Sequence, residues 1–430
     1  MEKLLLKNGN IYDGKLNSDL LMNYDILIED GIITSISQNI TNKDAKIIDL
    51  KGSYVIPGLI NLHVHLPASG KPSKKKVGDL KKLVAFISKY EITRKIGIKI
   101  CQKNAEKELL SGVTTIRTVG GIDDFDARLR DLIKKNKYLG PRILASNYAI
   151  GVINGHMDGT VAKPARNNEE AIKMVEECNS QGADLIKLMI TGGILDTKEK
   201  GVIGLLKMVP SMIKACTTKA HELGLKVAAH VEGEEGVKEA ILNGVDTIEH
   251  GAKVSDELVD LFKNHGGAYV ATFSPAMPLA MLDPKPLGYD DIVKYNTHVL
   301  LNGMIEFLEK CLKKGIQVGL GTDTGCPLVT HYDMWRELVY FTKCIKGVSN
   351  KFALHTATLV NANIAGVSDI TGSIEVNKSG DLLIVKENPL NDLSSLRNPQ
   401  YVVFKGKLLK KKVKKYSRVE KVLDEVLANL

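Results

Sequence analysis

None of the six cysteines (Cys101, Cys178, Cys216, Cys311, Cys326 and Cys344) stands in a CxxC pair. That spacing argues against a disulfide framework and against a cysteine-only zinc knuckle. Cys326 lies in a Gly-rich turn and is read as a small space-filler. No apolar run reaches the roughly 20 residues that span a bilayer, so no membrane partner is expected. The opening residues, Met1 to Gly9, hold too short an apolar stretch for a signal peptide, and the expectation is a cytoplasmic protein. Aromatic residues are few, at 5%. None interleaves with the first basic stretch of Lys71, Lys74, Lys75, Lys76, Lys81 and Lys82. Seven more lysines fall between Lys405 and Lys415, within a net charge of +9. Neither cluster carries a recognition motif, so both are read as solvated surface and no nucleic-acid partner is expected.

What remains is an ordinary globular composition, 44% hydrophobic and 25% charged, in a chain of 430 residues that can bury a large core. Residues 1 to 57 read as short strands joined by turns, with Asp30-Gly31 between β-rich runs as a hairpin signal. A second β-rich piece occupies 370 to 410. Neither is long enough for a good core alone, so the two are expected to form one small composite β-sandwich domain, 1–57 with 370–410.

Between them, over 58–369, short apolar strands alternate with helical segments, the signature of repeated βα units and a parallel sheet. Strands are expected at 113–119, 142–146, 183–190, 226–230, 246–250, 268–272 and 317–322. Helices are expected at 210–223, 234–243, 256–265 and 297–314. With the strand that ends at His63 to His65, the strands make the eight of an α/β (β/α)8 TIM barrel, whose active site lies at the C-terminal strand ends. The segment 411–430 is a basic stretch followed by a short amphipathic helix.

The stretch from Val55 to His65 is the organising one. Alternate residues of a strand face the same side, so His63 and His65 converge on one point, a geometry suited to a divalent metal such as zinc. Later strand ends supply more polar residues: Lys187 on the fourth, His230 on the fifth, His250 on the sixth and Asp323 after the eighth. A lone histidine at a strand end is usually a hydrogen-bonded core or surface residue, and an aspartate in a Gly-rich turn is usually a turn former. Lys187 is harder to dismiss. Among apolar residues of a central strand it cannot reach water, so it must be paired or lose its charge. A neutral amine can take up carbon dioxide as a carbamate, whose two oxygens can bridge two cations.

This combination resembles the amidohydrolase superfamily, in its binuclear subtype with a carbamylated lysine. The resemblance covers almost the whole chain. Lys187 followed by Thr191-Gly192-Gly193, the run from Gly244 to Gly251, and Asn388-Pro389-Leu390 with Leu396-Arg397-Asn398-Pro399 are similar to the branch of imidazolonepropionase-related enzymes, Xaa-Pro dipeptidases and arginine carboxypeptidases. The resemblance implies two divalent ions, zinc by preference. One would be held by His63, His65 and Asp323, the other by His230 and His250, with N6-carboxylysine at Lys187 bridging both. It also implies a bridging hydroxide as nucleophile and Asp323 as general base, then general acid. Because ligand histidines must be neutral, activity should fall in acid.

His156, in Asn154-Gly155-His156-Met157-Asp158, is the candidate for contact with the substrate carbonyl or carboxylate. Where related peptidases carry Tyr or His two residues after the strand-five histidine, this chain has Glu232, which could bind an amine and would repel a carboxylate. Arg117-Thr118 stands where Arg-Asp is usual, and Ile194-Leu195-Asp196 where Ser-Pro-Thr is commoner. The expected function is hydrolysis of an amide or peptide C–N bond in a small-molecule or short-peptide substrate, dipeptidase- or carboxypeptidase-like. Two alternatives stand beside it: a hydrolase or deaminase of cyclic nitrogen compounds, and a barrel that has lost catalysis and only binds. A mononuclear deaminase would carry Glu where Gly233 stands. A homo-oligomer is compatible with the sequence.

Overall fold

Asp30 and Gly31 adopt φ of 49° and 87°, the pair of positive angles that a two-residue hairpin turn requires. The turn folds Leu21–Glu29 back on Ile32–Ser37, with Glu29 opposite Ile32. The computed structural model describes residues 2–72 and 77–430, so Lys74, Lys75 and Lys76 of the first basic stretch lie outside it.

The two chain ends share one sheet of eight strands. The join is antiparallel, Leu382–Val385 against Tyr54–Pro57, with Leu382 opposite Pro57 and Val385 opposite Tyr54. The sheet's far edges also meet. A Cβ on Gly31 would sit 3.0 Å from the Lys405 carbonyl, and Gly380 N–H donates to Gly31 O at 2.8 Å. Leu4, Leu6, Ile26, Ile28, Val55 and Val403 fill the space enclosed, which gives this layer an apolar core of its own. Contributions from both ends thus build the small sandwich-like layer that the sequence suggests.

Eight of the remaining strands form the barrel. In order they are Leu59–Val64, Val113–Thr118, Arg142–Leu144, Leu185–Met189, Lys226–Val231, Thr247–His250, Ala268–Ala271 and Gln317–Leu320. Adjacent strands pair in parallel within the first three and within the last five. Closure is by backbone bonds at two seams. Asp323 N–H donates to His63 O at 2.9 Å, and Asp184 N–H donates to Ala145 O at 2.6 Å. The third strand breaks after Leu144 and resumes as Ala149–Val152, which pairs with the fourth strand through Ile150 and Leu188.

Asp256–His265 forms over the residues expected, whereas the long helix Asp291–Lys314 starts at Asp291 and not at 297. The reason is a cap: the Asp290 carboxylate accepts from Val293 N–H at 3.0 Å. Gly315, at φ 67°, ends that helix in the left-handed conformation that glycine adopts without strain. The terminal helix Ser417–Ala428 buries Val419, Leu423 and Val426, and Leu328 packs with the first two. The lysines ahead of it serve the fold. Lys415 Nζ donates to Arg397 O at 2.7 Å, and Lys412 Nζ donates to Gln400 O at 2.6 Å. No helix among the described residues is long and apolar enough to cross a membrane.

Candidate active site

The first strand brings His63 and His65 to the barrel mouth with ring centroids 5.3 Å apart. Each ring is fixed through Nδ1, which leaves Nε2 facing inward. His63 Nδ1 lies 2.8 Å from Glu249 Oε2, and His65 Nδ1 lies 2.8 Å from Gly120 O. His250 Nδ1 lies 2.8 Å from Thr272 Oγ1. On the inner side, His63 Nε2 and His65 Nε2 stand 3.5 Å and 3.1 Å from Asp323 Oδ1. His250 is 4.7 Å from His63 and 4.6 Å from His230, ring to ring. Four imidazoles and one carboxylate therefore surround one point. Anchoring of the outer ring nitrogen is what orients a metal-ligating histidine.

Glu249 is a residue the sequence reading missed. Arg117 Nη2 donates to both its oxygens, at 2.7 Å and 2.9 Å, and Thr247 Oγ1 donates to Oε1 at 2.7 Å. Arg117 is held in turn by Leu62 O through Nε at 2.7 Å. Burial works against an ionised Glu249, but Arg117, His63 and Lys187 outweigh it and hold the carboxyl well below the usual range. The available signal was a charge in each of two buried strands. Their pairing across the barrel is not visible in one dimension.

Lys187 is 1% exposed, and its Nζ has no hydrogen-bond partner among the described residues. Burial pulls its pKa down to about 8, with Glu249 and Asp323 resisting and Arg117 assisting. The same burial, joined by the Lys187 charge, pushes His63 down to about 4. His230 and His250 are pushed well below the ordinary imidazole value by burial first, then by neighbouring imidazoles and Lys187. These rings are neutral near pH 7, the form that binds metal. Asp323 resists burial through His63, His65 and His250 and stays ionised well below the usual range. His250 and Asp323 both adopt positive φ, 67° and 57°, a conformation uncommon outside glycine and concentrated at functional sites. Tyr269 OH, donating to His250 O at 2.5 Å, secures the first.

The donor set fits divalent cations. His63, His250 and Asp323 offer atoms within 4.8 Å of one another, and so do His230, Glu232 and His250. The buried, unpartnered Lys187 Nζ and His230 Nε2 are further polar atoms waiting for a partner. Glu232 lines the pocket, but not as a free acid ready for an amine. It is buried, its Oε2 accepts from Ile194 N–H at 2.7 Å, and its Oε1 lies 3.9 Å from His230 Nε2. Burial, with Asp323 and Asp196 nearby, pushes its carboxyl up to about 8 against the Ile194 N–H. Glu232 is thus also within ligand reach of the second cluster.

His156 lies flat on His230, ring centroids 4.1 Å apart and planes 10° from parallel. Asp196 Oδ2 is 2.6 Å from His156 Nδ1 and also accepts Gly193 N–H at 2.8 Å. Gly193 is required there, because a Cβ would meet His156 Cε1 at 2.7 Å. Above the histidines opens a cavity with apolar walls of Ile194, Pro275, Ala276, Leu279, Leu300 and Met304. Cys326 does more than fill space: it lines this cavity and its Sγ donates to Asp323 Oδ2 at 3.2 Å.

The profile of the family described as Amidohydrolase family matches residues 54–409. Ochratoxinase of Aspergillus niger is 25% identical over 326 residues, 69% of this chain and 65% of that protein, so the match spans just under two thirds of its length. A solved structure described as a prolidase from Bifidobacterium longum is 33% identical with a TM-score of 0.86, covering 99% of both chains. A Xaa-Pro dipeptidase solved with methionine in its active site is 29% identical with a TM-score of 0.82, covering 95% of this chain and 100% of that one.

Proposed function

The chain belongs to the amidohydrolase family; from that premise we propose that it is a hydrolase of carbon–nitrogen bonds and cleaves the amide or peptide bond of a small substrate at a two-metal centre. The observation that carries this reading is Lys187. A buried amine with no partner, whose charge acts on His63, His230 and His250, is expensive unless it is used. Reaction of the neutral amine with carbon dioxide forms an N–C bond, releases one proton and leaves a carbamate with two ligand oxygens.

His63, His65 and Asp323 would hold one cation, His230 and His250 the other with Glu232 in reach, and carboxylated Lys187 both. When bound, the cations, zinc by preference, supply Lewis acidity toward the scissile carbonyl and lower the pKa of water.

The protein's own groups do the rest. Asp323, ionised at neutral pH and 3.1 Å from His65 Nε2, takes the proton of the attacking water and returns it to the leaving amine. His156, with Nδ1 engaged by Asp196, keeps its other ring nitrogen for contact with the substrate. The Arg117–Glu249 pair and Thr272 hold His63 and His250 in register.

The test is a hydrolysis screen with zinc-loaded protein against N-acyl amino acids, neutral N-acyl amines, dipeptides and cyclic ureides. Amine release from open-chain amides that stops on chelation is the expected result. Turnover confined to cyclic ureides would move the function to ring opening. Turnover of none, or turnover indifferent to chelator, would contradict it.

A further inference from the structure

The walls and donors of the cavity above the histidines narrow the substrate class, on the reading that the site hydrolyses amides. We infer that this pocket accepts an uncharged, apolar substituent of the substrate, aliphatic or aromatic, and disfavours a free carboxylate there.

Recognition of a carboxylate needs a guanidinium, an ammonium or free N–H groups. Four backbone N–H groups around the pocket are already taken by carboxylates of the protein. At the start of the helix Phe273–Met281, Glu337 accepts Phe273 N–H at 2.6 Å and Ser274 N–H at 2.8 Å. On the opposite wall, Asp196 accepts Gly193 N–H at 2.8 Å and Glu232 accepts Ile194 N–H at 2.7 Å. Among the described residues, no lysine or arginine lines the cavity. The buried guanidinium of Arg117 is consumed by Glu249, Thr247 and Leu62 O.

Against the apolar wall an incoming carboxylate would lose its hydration with no lysine or arginine of the lining to replace it. An alkyl or aryl group would instead displace water from Leu279, Leu300 and Met304 and lose nothing polar. The three carboxylates that close off the N–H groups leave the apolar wall as the main source of attraction.

The experiment compares pairs that differ only in this group: N-acetyl-leucine against N-acetyl-isopentylamine for turnover, and N-methylsulfonyl-leucine against N-isopentyl-methanesulfonamide, which are not cleaved, for calorimetric binding to zinc-loaded protein. The neutral member of each pair should be favoured by about tenfold or more. Equal or tighter binding of the carboxylate member would overturn the inference. If neither amide is cleaved but the sulfonamides keep the neutral preference, the hydrolysis reading fails while the pocket assignment stands. Leu195→Arg, at an exposed rim position, should raise affinity for the carboxylate sulfonamide. No gain there would place the substituent outside this pocket.

Discussion

The floor and the mouth of this site are built from different materials. On the floor, ligand candidates sit on strands whose register is fixed by parallel ladders, and nearly every outer ring nitrogen is anchored: His63 by Glu249, His65 by Gly120 O, His250 by Thr272. At the mouth, the walls come from the loop at 193–195 and from two helices, and their polar groups are spent on one another. Strand geometry positions chemistry to within a fraction of an ångström, whereas loops and helix ends vary with little cost to the barrel. The floor therefore speaks of the reaction and the mouth of the substrate.

The largest effect should follow Lys187→Ala, which removes the proposed bridging group. Metal content and activity should fall together, activity by about a thousandfold or more, with partial rescue by small carboxylates such as acetate. Retained activity with metal lost, or the reverse, would break the link between the amine and the floor. Next comes Glu249→Ala. It leaves the Arg117 guanidinium buried and unpaired, and denaturant unfolding should show a loss of ~3–5 kcal/mol. A near-neutral change would mean that Arg117 finds another partner.

Thr272→Val frees the His250 ring and should weaken zinc affinity by about 10- to 100-fold in a chelator competition, with the fold intact. A smaller signal comes from acid. In the metal-free protein His63 has a folded pKa of about 4, below the ordinary imidazole value, so the unfolded chain binds more protons between those limits. Stability should rise with pH across that window, from about 4 to about 6.5, and His63→Gln should flatten the rise. An unchanged slope would assign the proton to another group. Smallest of all, Leu195→Ala at the mouth should change KM and leave zinc content as it was; a loss of zinc would erase the distinction between the two regions.

Much of the floor was legible in the sequence because a strand repeats every second residue. Val55 to His65 announces its two histidines, and Lys187 among apolar neighbours announces a buried amine. All eight barrel strands were legible as short apolar runs set between helical segments. Glu249 and Arg117 were not, although each stands in a run already singled out, since their partnership joins the second strand to the sixth across the barrel. The sense of Glu232 also escaped. Its residue type suggested an open acid, and only folding shows that Ile194 N–H and burial take it out of water. The early start of the helix at Asp291 depended on a local signal, the Asp290 cap, that lies ahead of its apolar face.

The central claim is a buried lysine that takes up carbon dioxide between two cations. The most direct measurement is carbon-13 NMR of the zinc-loaded protein prepared in labelled bicarbonate, with metal content determined on the same sample. The account predicts one carbamate resonance that Lys187→Ala abolishes, with about two zinc ions per chain. A sample holding about one ion or none, with no carbamate resonance, would contradict it.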